Sequence, residues 1–291
     1  MGSSSDTDDV LQVQADVLLQ DEVCENRDFS AESSPMAETI VYEQPLNERV
    51  RSLLRLEKLF QKFAYHIKHD SYWNNNCCLD ALLELLGFTT RSDVKLEVLK
   101  ELERQHGRLE SLAQRPQVDH SQLESILRNL KSRIQEMQAP AGQIGKELQE
   151  IELMCAVKQK MNLPGVICDF DLPAFRFWQS HDPATRKKHL QDWYEPFKDL
   201  DRAVQLILDV IRHSAQETEE TGESGFFQQS LTGNQSILLL RIILPEGSDF
   251  YPGISGGKHR FSVRFLRNAD PTNRPDQVES DVYFKLQMCA I

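Results

Sequence analysis

The stretch YPGISGGKHRFSVRF, residues 251–265, changes character after its glycine pair. Side chains on a β-strand point to opposite faces in turn. Phe261, Val263 and Phe265 therefore fall on one face, with Lys258, Arg260, Ser262 and Arg264 on the other. The apolar face suits a core. The basic face is a comb with teeth roughly 7 Å apart, which calls for solvent or an anionic partner. A phosphate-binding loop of the Gly-x4-Gly-Lys-Ser/Thr type is excluded, because Pro252 replaces the first glycine and His259 the hydroxyl residue. The period-two pattern that follows is also not that of a helix. The ordinary outer face of a half-solvated antiparallel strand stays open beside the binding reading.

Working outward, residues 226–230, SILLLRIILP (236–245), HRFSVRFLR (259–267) and SDVYFKLQMC (280–289) alternate or run apolar between Gly, Pro, Asn and Asp clusters. They read as antiparallel strands. The polar run ETEETGESG before them reads as a break in the chain. From Pro45 to Ala215 the pattern is helical. Val50, Leu53, Leu54, Phe60, Phe63 and Ile67 recur at helical spacing, and SQLESILRNLKSRIQEM (121–137) opens with a capping box of Ser121 and Glu124. Further helices are expected at 92–113, 144–161, 172–180 and 184–215. The fold class is α+β: a mainly helical domain, then a small antiparallel β domain, behind a disordered acidic N-terminal tail. The expected boundaries are 1–37 for the tail, 38–223 for a first strand and the helical domain, and 224–291 for the β domain.

With 40% hydrophobic residues among 291, the chain can bury a real core. No run of about 18 apolar residues exists, and MGSSSDTDDV lacks the basic and apolar regions of an export signal. Neither membrane insertion nor export is expected, which leaves the cytoplasm. The six cysteines show neither zinc nor disulfide spacing, so free thiols are expected. Residues 1–35 hold nine Asp or Glu against Arg27 alone, which is −8 of the formal charge of −12. The folded part is therefore nearly balanced. Met36 offers a second translation start.

Catalytic signals are weak. His66 and His69 share a helix face without a third metal ligand, and Cys168 with Asp169 and Asp171 has no base partner. No enzyme activity, cofactor or metal is expected. Interleaved exposed aromatics and nucleic-acid motifs are also missing.

PLNERVR (45–51), VLKELERQ (98–105), DLPAFRFW (171–178), DVIRHSAQ (209–216) and ISGGKHRFSVRF (254–265), in this order, resemble the ZapD family of bacterial cell-division proteins. The resemblance covers roughly residues 38–289, so the first 35 inherit no family function. It implies a cytoplasmic, non-enzymatic homodimer at the mid-cell division ring. Such a dimer binds the C-terminal tail of the tubulin-like protein FtsZ and bundles its filaments. The carboxylates of that tail would meet the basic comb, where a guanidinium fork can bind a carboxylate through two hydrogen bonds. By resemblance, Arg91, just before a helix start at Ser92, and Lys95 complete a pocket with Arg260 and Arg264. Lys258, on the same strand face, and Arg241, in the strand SILLLRIILP, are additional candidates. The alternative is a nucleic-acid or other anionic-ligand binding protein that uses the same patch.

Overall fold

Apolar alternation in the C-terminal third builds two antiparallel sheets, and the helical stripes before it build a bundle. The computed structural model describes residues 39–91, 93–113, 120–139, 142–161, 170–231, 236–257, 259–268 and 272–290. The acidic tail, Met36, Cys168, Asp169 and Lys258 lie outside the described residues. Two units are distinguished: one takes the described residues of Met1–Arg51, Gly107–Leu127 and Leu208–Ile291, the other Ser52–His106 and Arg128–Ile207.

In chain order the strands are β1 (Thr39–Pro45), β2 (Ala215–Gly222), β3 (Phe226–Ser230), β4 (Ile237–Pro245), β5 (Phe250–Gly256), β6 (Arg260–Arg267), β7 (Asp276–Gln277) and β8 (Val282–Ala290). The first sheet has the order β1-β4-β8-β2. In the second, β6 lies between β3 and β5 and also pairs with β7. Leu240, Ile242 and Leu244 of β4 and Phe284 and Leu286 of β8 pack with Phe261, Val263 and Phe265 of β6 in one core. The expected alternation of β6 is thus present: these three residues are buried, while Arg260 and Arg264 are exposed.

Two glycines hold this packing. Gly225, in the turn from β2 to β3, has a φ of 71°, and a Cβ there would collide with the Val278 carbonyl. A Cβ on Gly256 would collide with the Leu46 side chain.

The run expected to break the chain, ETEETGESG, instead supplies most of β2, which pairs with β8 from Ala215↔Cys289 to Gly222↔Val282. Its polarity is that of an edge strand with solvated side chains. Lys285 Nζ donates to Glu217 Oε1 and Gln287 Nε2 to Glu217 Oε2, each at 2.8 Å, across this pair, beside the backbone ladder.

The helices are α1 (Glu48–His66), α2 (Tyr72–Arg91), α3 (Val94–Leu112), α4 (His120–Gln138), α5 (Glu152–Met161), α6 (Pro173–Gln179), α7 (Pro183–Tyr194) and α8 (Lys198–His213). Asn47 caps α1, its Oδ1 accepting the Val50 amide at 2.8 Å, and Asp182 caps α7 by accepting the Thr185 amide. Helix α4 begins at His120, one residue ahead of the expected cap Ser121.

The single helix expected over 184–215 is two, separated by a 3-10 turn at Glu195–Phe197. Pro196 lacks the amide hydrogen that a continuous helix needs. In the helical unit Tyr194 stacks on Phe63 with ring centroids 4.2 Å apart, and its hydroxyl donates to Asp201 at 2.6 Å. Among the described residues no helix is long and apolar enough to cross a membrane.

Candidate functional site

Strand β6 decides the candidate site because neighbours on both sides fix its register. Phe226, Gln228 and Ser230 of β3 stand opposite Arg264, Ser262 and Arg260, and Gly253 and Ser255 of β5 stand opposite Arg264 and Ser262. Directly opposed residues share a face. The outer face of the second sheet therefore carries two arginines on its central strand, flanked by small residues on one side and by Phe226 and Gln228 on the other. Phe226 is 37% exposed beside Arg264. The face opens into a groove of ≈570 Å³, lined among others by Phe226, Gln228, Ser255, His259, Arg260 and Arg264.

Four other cations of the same unit have carboxylate partners. Arg212 and Arg241 both bond Glu43, Arg267 pairs with Asp249 at 2.9 Å, and Lys285 pairs with Glu217. Arg260 and Arg264 have no carboxylate partner among the described residues. Their chemistry is that of two guanidinium forks on an exposed, uncompensated surface, suited to carboxylates or other planar anions.

Arg241 goes elsewhere. It lies on β4, and its side chain reaches Glu43 Oε1 at 3.1 Å and Gln287 Oε1 at 2.5 Å on the first sheet. Glu43 also accepts from Arg212, Nε to Oε1 at 2.8 Å and Nη2 to Oε2 at 2.9 Å. Burial pushes the Glu43 carboxyl up, but the hydrogen bonds and charges of Arg212 and Arg241 outweigh it and hold the group below its ordinary value. A carboxyl lowered on folding stabilises the fold above its unfolded pKa of about 4.3 and loses that contribution as pH falls through the folded value. Thermal melts from neutral pH into the acid range should fall more steeply for the wild type than for Glu43→Gln. Parallel curves would remove Glu43 from the acid response.

Arg91 and Lys95 belong to the helical unit. Arg91 closes α2, and Lys95 is the second residue of α3, which starts at Val94; the expected start Ser92 lies outside the described residues. Lys95 is half-buried and lines a hollow of ≈500 Å³ with Thr89, Thr90, Asp93 and Gln143. His66 shares a 2.7 Å hydrogen bond with Asn74. Among the described residues no group of His, Cys, Asp and Glu is arranged to hold a metal ion. Burial pushes the Cys78 and Cys289 thiols up to about 12, which keeps them protonated at neutral pH.

Sequence reading missed Phe226 and Gln228 as members of the site. Alternation puts them on one face of β3, but only the register shows that this face is the one bearing Arg260 and Arg264.

The chain matches the family model ZapD, described as a cell division protein, over residues 54–264. It is similar to the cell division protein ZapD of Methylococcus capsulatus, 36% identical over 256 residues that cover 88% of this chain and 100% of the relative. The ZapD of Nitrosomonas europaea is 34% identical over 252 residues, covering 87% of this chain and 95% of the relative. That of Nitrosomonas eutropha is 36% identical, covering 87% and 100%. With the family model spanning most of the folded part and these relatives covered almost end to end, the chain belongs to the ZapD family of cell division proteins.

Proposed function

We propose that this chain binds the acidic C-terminal tail of FtsZ on the outer face of the second sheet and, as a symmetric homodimer, cross-links FtsZ filaments at the division ring. It acts in the cytoplasm and without catalysis. One observation carries the reading: Arg260 and Arg264 lack a carboxylate partner among the described residues, while Arg212, Arg241, Arg267 and Lys285 of the same unit are paired. A tail carboxylate supplies the missing partner. Arg91 and Lys95 join the proposal through the family resemblance, and Lys258 through its place in the alternation. Arg241 is already engaged by Glu43 and Gln287, and we leave it out of the tail site. Two tail sites on one dimer let it hold two filaments at once.

Co-sedimentation tests the reading. The full chain should pellet with FtsZ filaments and bundle them, and should stay in solution with filaments that lack their C-terminal tails. Exposed ion pairs weaken as the screening length shrinks from about 10 Å at 0.1 M salt to about 3 Å at 1 M. Bundling should therefore fade across that range. Equal pelleting with tailless filaments, or bundling that ignores salt, overturns the proposal.

A further inference from the structure

The second sheet has two edge strands, β3 and β5, on either side of the arginine-bearing β6. Leu231 N–H donates to the His259 carbonyl at 2.8 Å, and Phe265 N–H donates to the Gly225 carbonyl at 2.8 Å. In an antiparallel ladder the residues that exchange such bonds alternate with residues whose backbone groups point away. With the register Phe226↔Arg264 to Ser230↔Arg260, Phe227 and Gln229 face β6. Phe226, Gln228 and Ser230 direct their backbone groups outward. The Phe226 amide is taken by the Glu223 carbonyl at 3.0 Å in the turn. The amides of Gln228 and Ser230 have no partner among the described residues.

Free edges are ordinarily guarded by proline or charge, because an unguarded edge recruits another strand. The other edges of this unit follow that rule. Strand β1 carries Glu43 and Pro45, and β2 carries Glu217, Glu219 and Glu220. Strand β5 carries Pro252. The Gly257 amide donates to the Arg260 carbonyl, which sets the alternation so that Pro252 falls at an outward-facing position. Strand β3 reads FFQQS, with no proline and no charge.

We infer that β3 is the docking edge for the acidic peptide, which adds to the second sheet as an extended strand. The inference rests on the tail-binding reading above and supplies its geometry. A strand paired to β3 lies two strand spacings, about 10 Å, from β6. Its alternate side chains then stand on the outer face, where an aspartate or glutamate reaches toward Arg260 across Ser230 or toward Arg264 across Phe226. Arg260 and Arg264 are four residues apart, about 13 Å along the strand. Carboxylates on the same face of an extended peptide repeat at that spacing or half of it. An apolar peptide side chain in the same row meets Phe226. Main-chain bonds to β3 give affinity and the arginines select acidic sequences, the division of labour usual for strand addition.

The probe is the FtsZ C-terminal tail peptide, titrated onto the full chain unmodified and with two complementary sets of alternate backbone amides N-methylated. An added strand uses every second amide. One methylated set should bind about tenfold or more weakly and the other as the unmodified peptide does. On the protein side, Gln228→Pro removes an outward amide at a position where an edge tolerates proline. It should weaken binding by a similar factor at unchanged melting temperature, and clearly more than Gln228→Ala, which keeps that amide. Equal binding of both methylated sets, or equal loss by both, overturns the docking edge even if Arg260 and Arg264 prove essential. An unmodified peptide that fails to bind overturns the docking edge and the tail-binding reading together.

Discussion

The double variant Arg260→Ala/Arg264→Ala is expected to bind the FtsZ tail peptide about a hundredfold more weakly than the wild type and to melt at the same temperature. A hydrogen bond to a charged group contributes about 1.5–3 kcal/mol, and a tenfold change in affinity corresponds to about 1.4 kcal/mol. Two such contacts need not add, so a hundredfold is a modest expectation for losing both. Stability should be unmoved because both side chains are exposed and carry no ion pair among the described residues. Surface changes of that kind usually stay within about 0.5 kcal/mol. Glutamate at either position should bind worse than alanine, because it adds repulsion to the loss. Wild-type affinity in the double variant, with unchanged melting, would refute the outer face of the second sheet as the site.

The largest effect on stability is expected at Phe265. Its ring is fully buried on β6, 5.0 Å from Phe284 and 5.9 Å from Phe250 between centroids. Phe265→Ala removes those contacts and leaves a cavity that β6, held between β3 and β5, is poorly placed to close. Such truncations cost about 3–5 kcal/mol, a large share of the 5–15 kcal/mol that typically holds a fold together. Urea titration should move the unfolding midpoint of the sandwich strongly downward. The three tryptophans, Trp73, Trp178 and Trp193, stand in the helical unit, so their fluorescence follows that unit alone. Far-ultraviolet circular dichroism is needed to see the sheets. An unchanged midpoint by both probes would contradict the packing described for β6.

What the sequence disclosed depended on how each element meets water. Strand β6 was readable because one face is buried and the other solvated, so its period is visible in the residue types. Strand β4, ILLLRIILP, showed only an apolar run, since Leu239 is as buried as Leu240 and Ile242. Helix α2 gave no separate stripe for a related reason. Leu79, Ala81, Leu82, Leu83, Leu85 and Leu86 are all buried, and apolar residues over more than half of the helix surface blur a helical period. Strand β2 was hidden by the opposite circumstance, an edge position that asks nothing apolar of its middle residues. The arginines of the candidate site were legible from alternation alone. Arg241 has the same residue type on an equally clear strand, but its side chain turns to Glu43, which the β1–β4 pairing brings from nearly 200 residues away. Phe226 and Gln228 escaped notice for want of register. Pairing between distant segments is set by the whole fold, and no local pattern encodes it.

The strand order β1-β4-β8-β2 also bears on how the protein is made. Strand β1 leaves the ribosome early, yet its partner among the described residues, β4, follows some 200 residues later, from Thr39↔Pro245 to Pro45↔Leu239. Strand β2 must wait for β8, the last strand described, which sits between β4 and β2. Domains that fold as units do so as they emerge, but pairings of such long range come late and slowly. During synthesis Ile40, Val41 and the amides of β1 stand unpaired in front of a growing chain, and Glu43 has no arginine to meet. Removing β8 takes away the middle of the first sheet, so a chain released before that strand is translated carries β1, β4 and β2 with nothing to join β4 to β2.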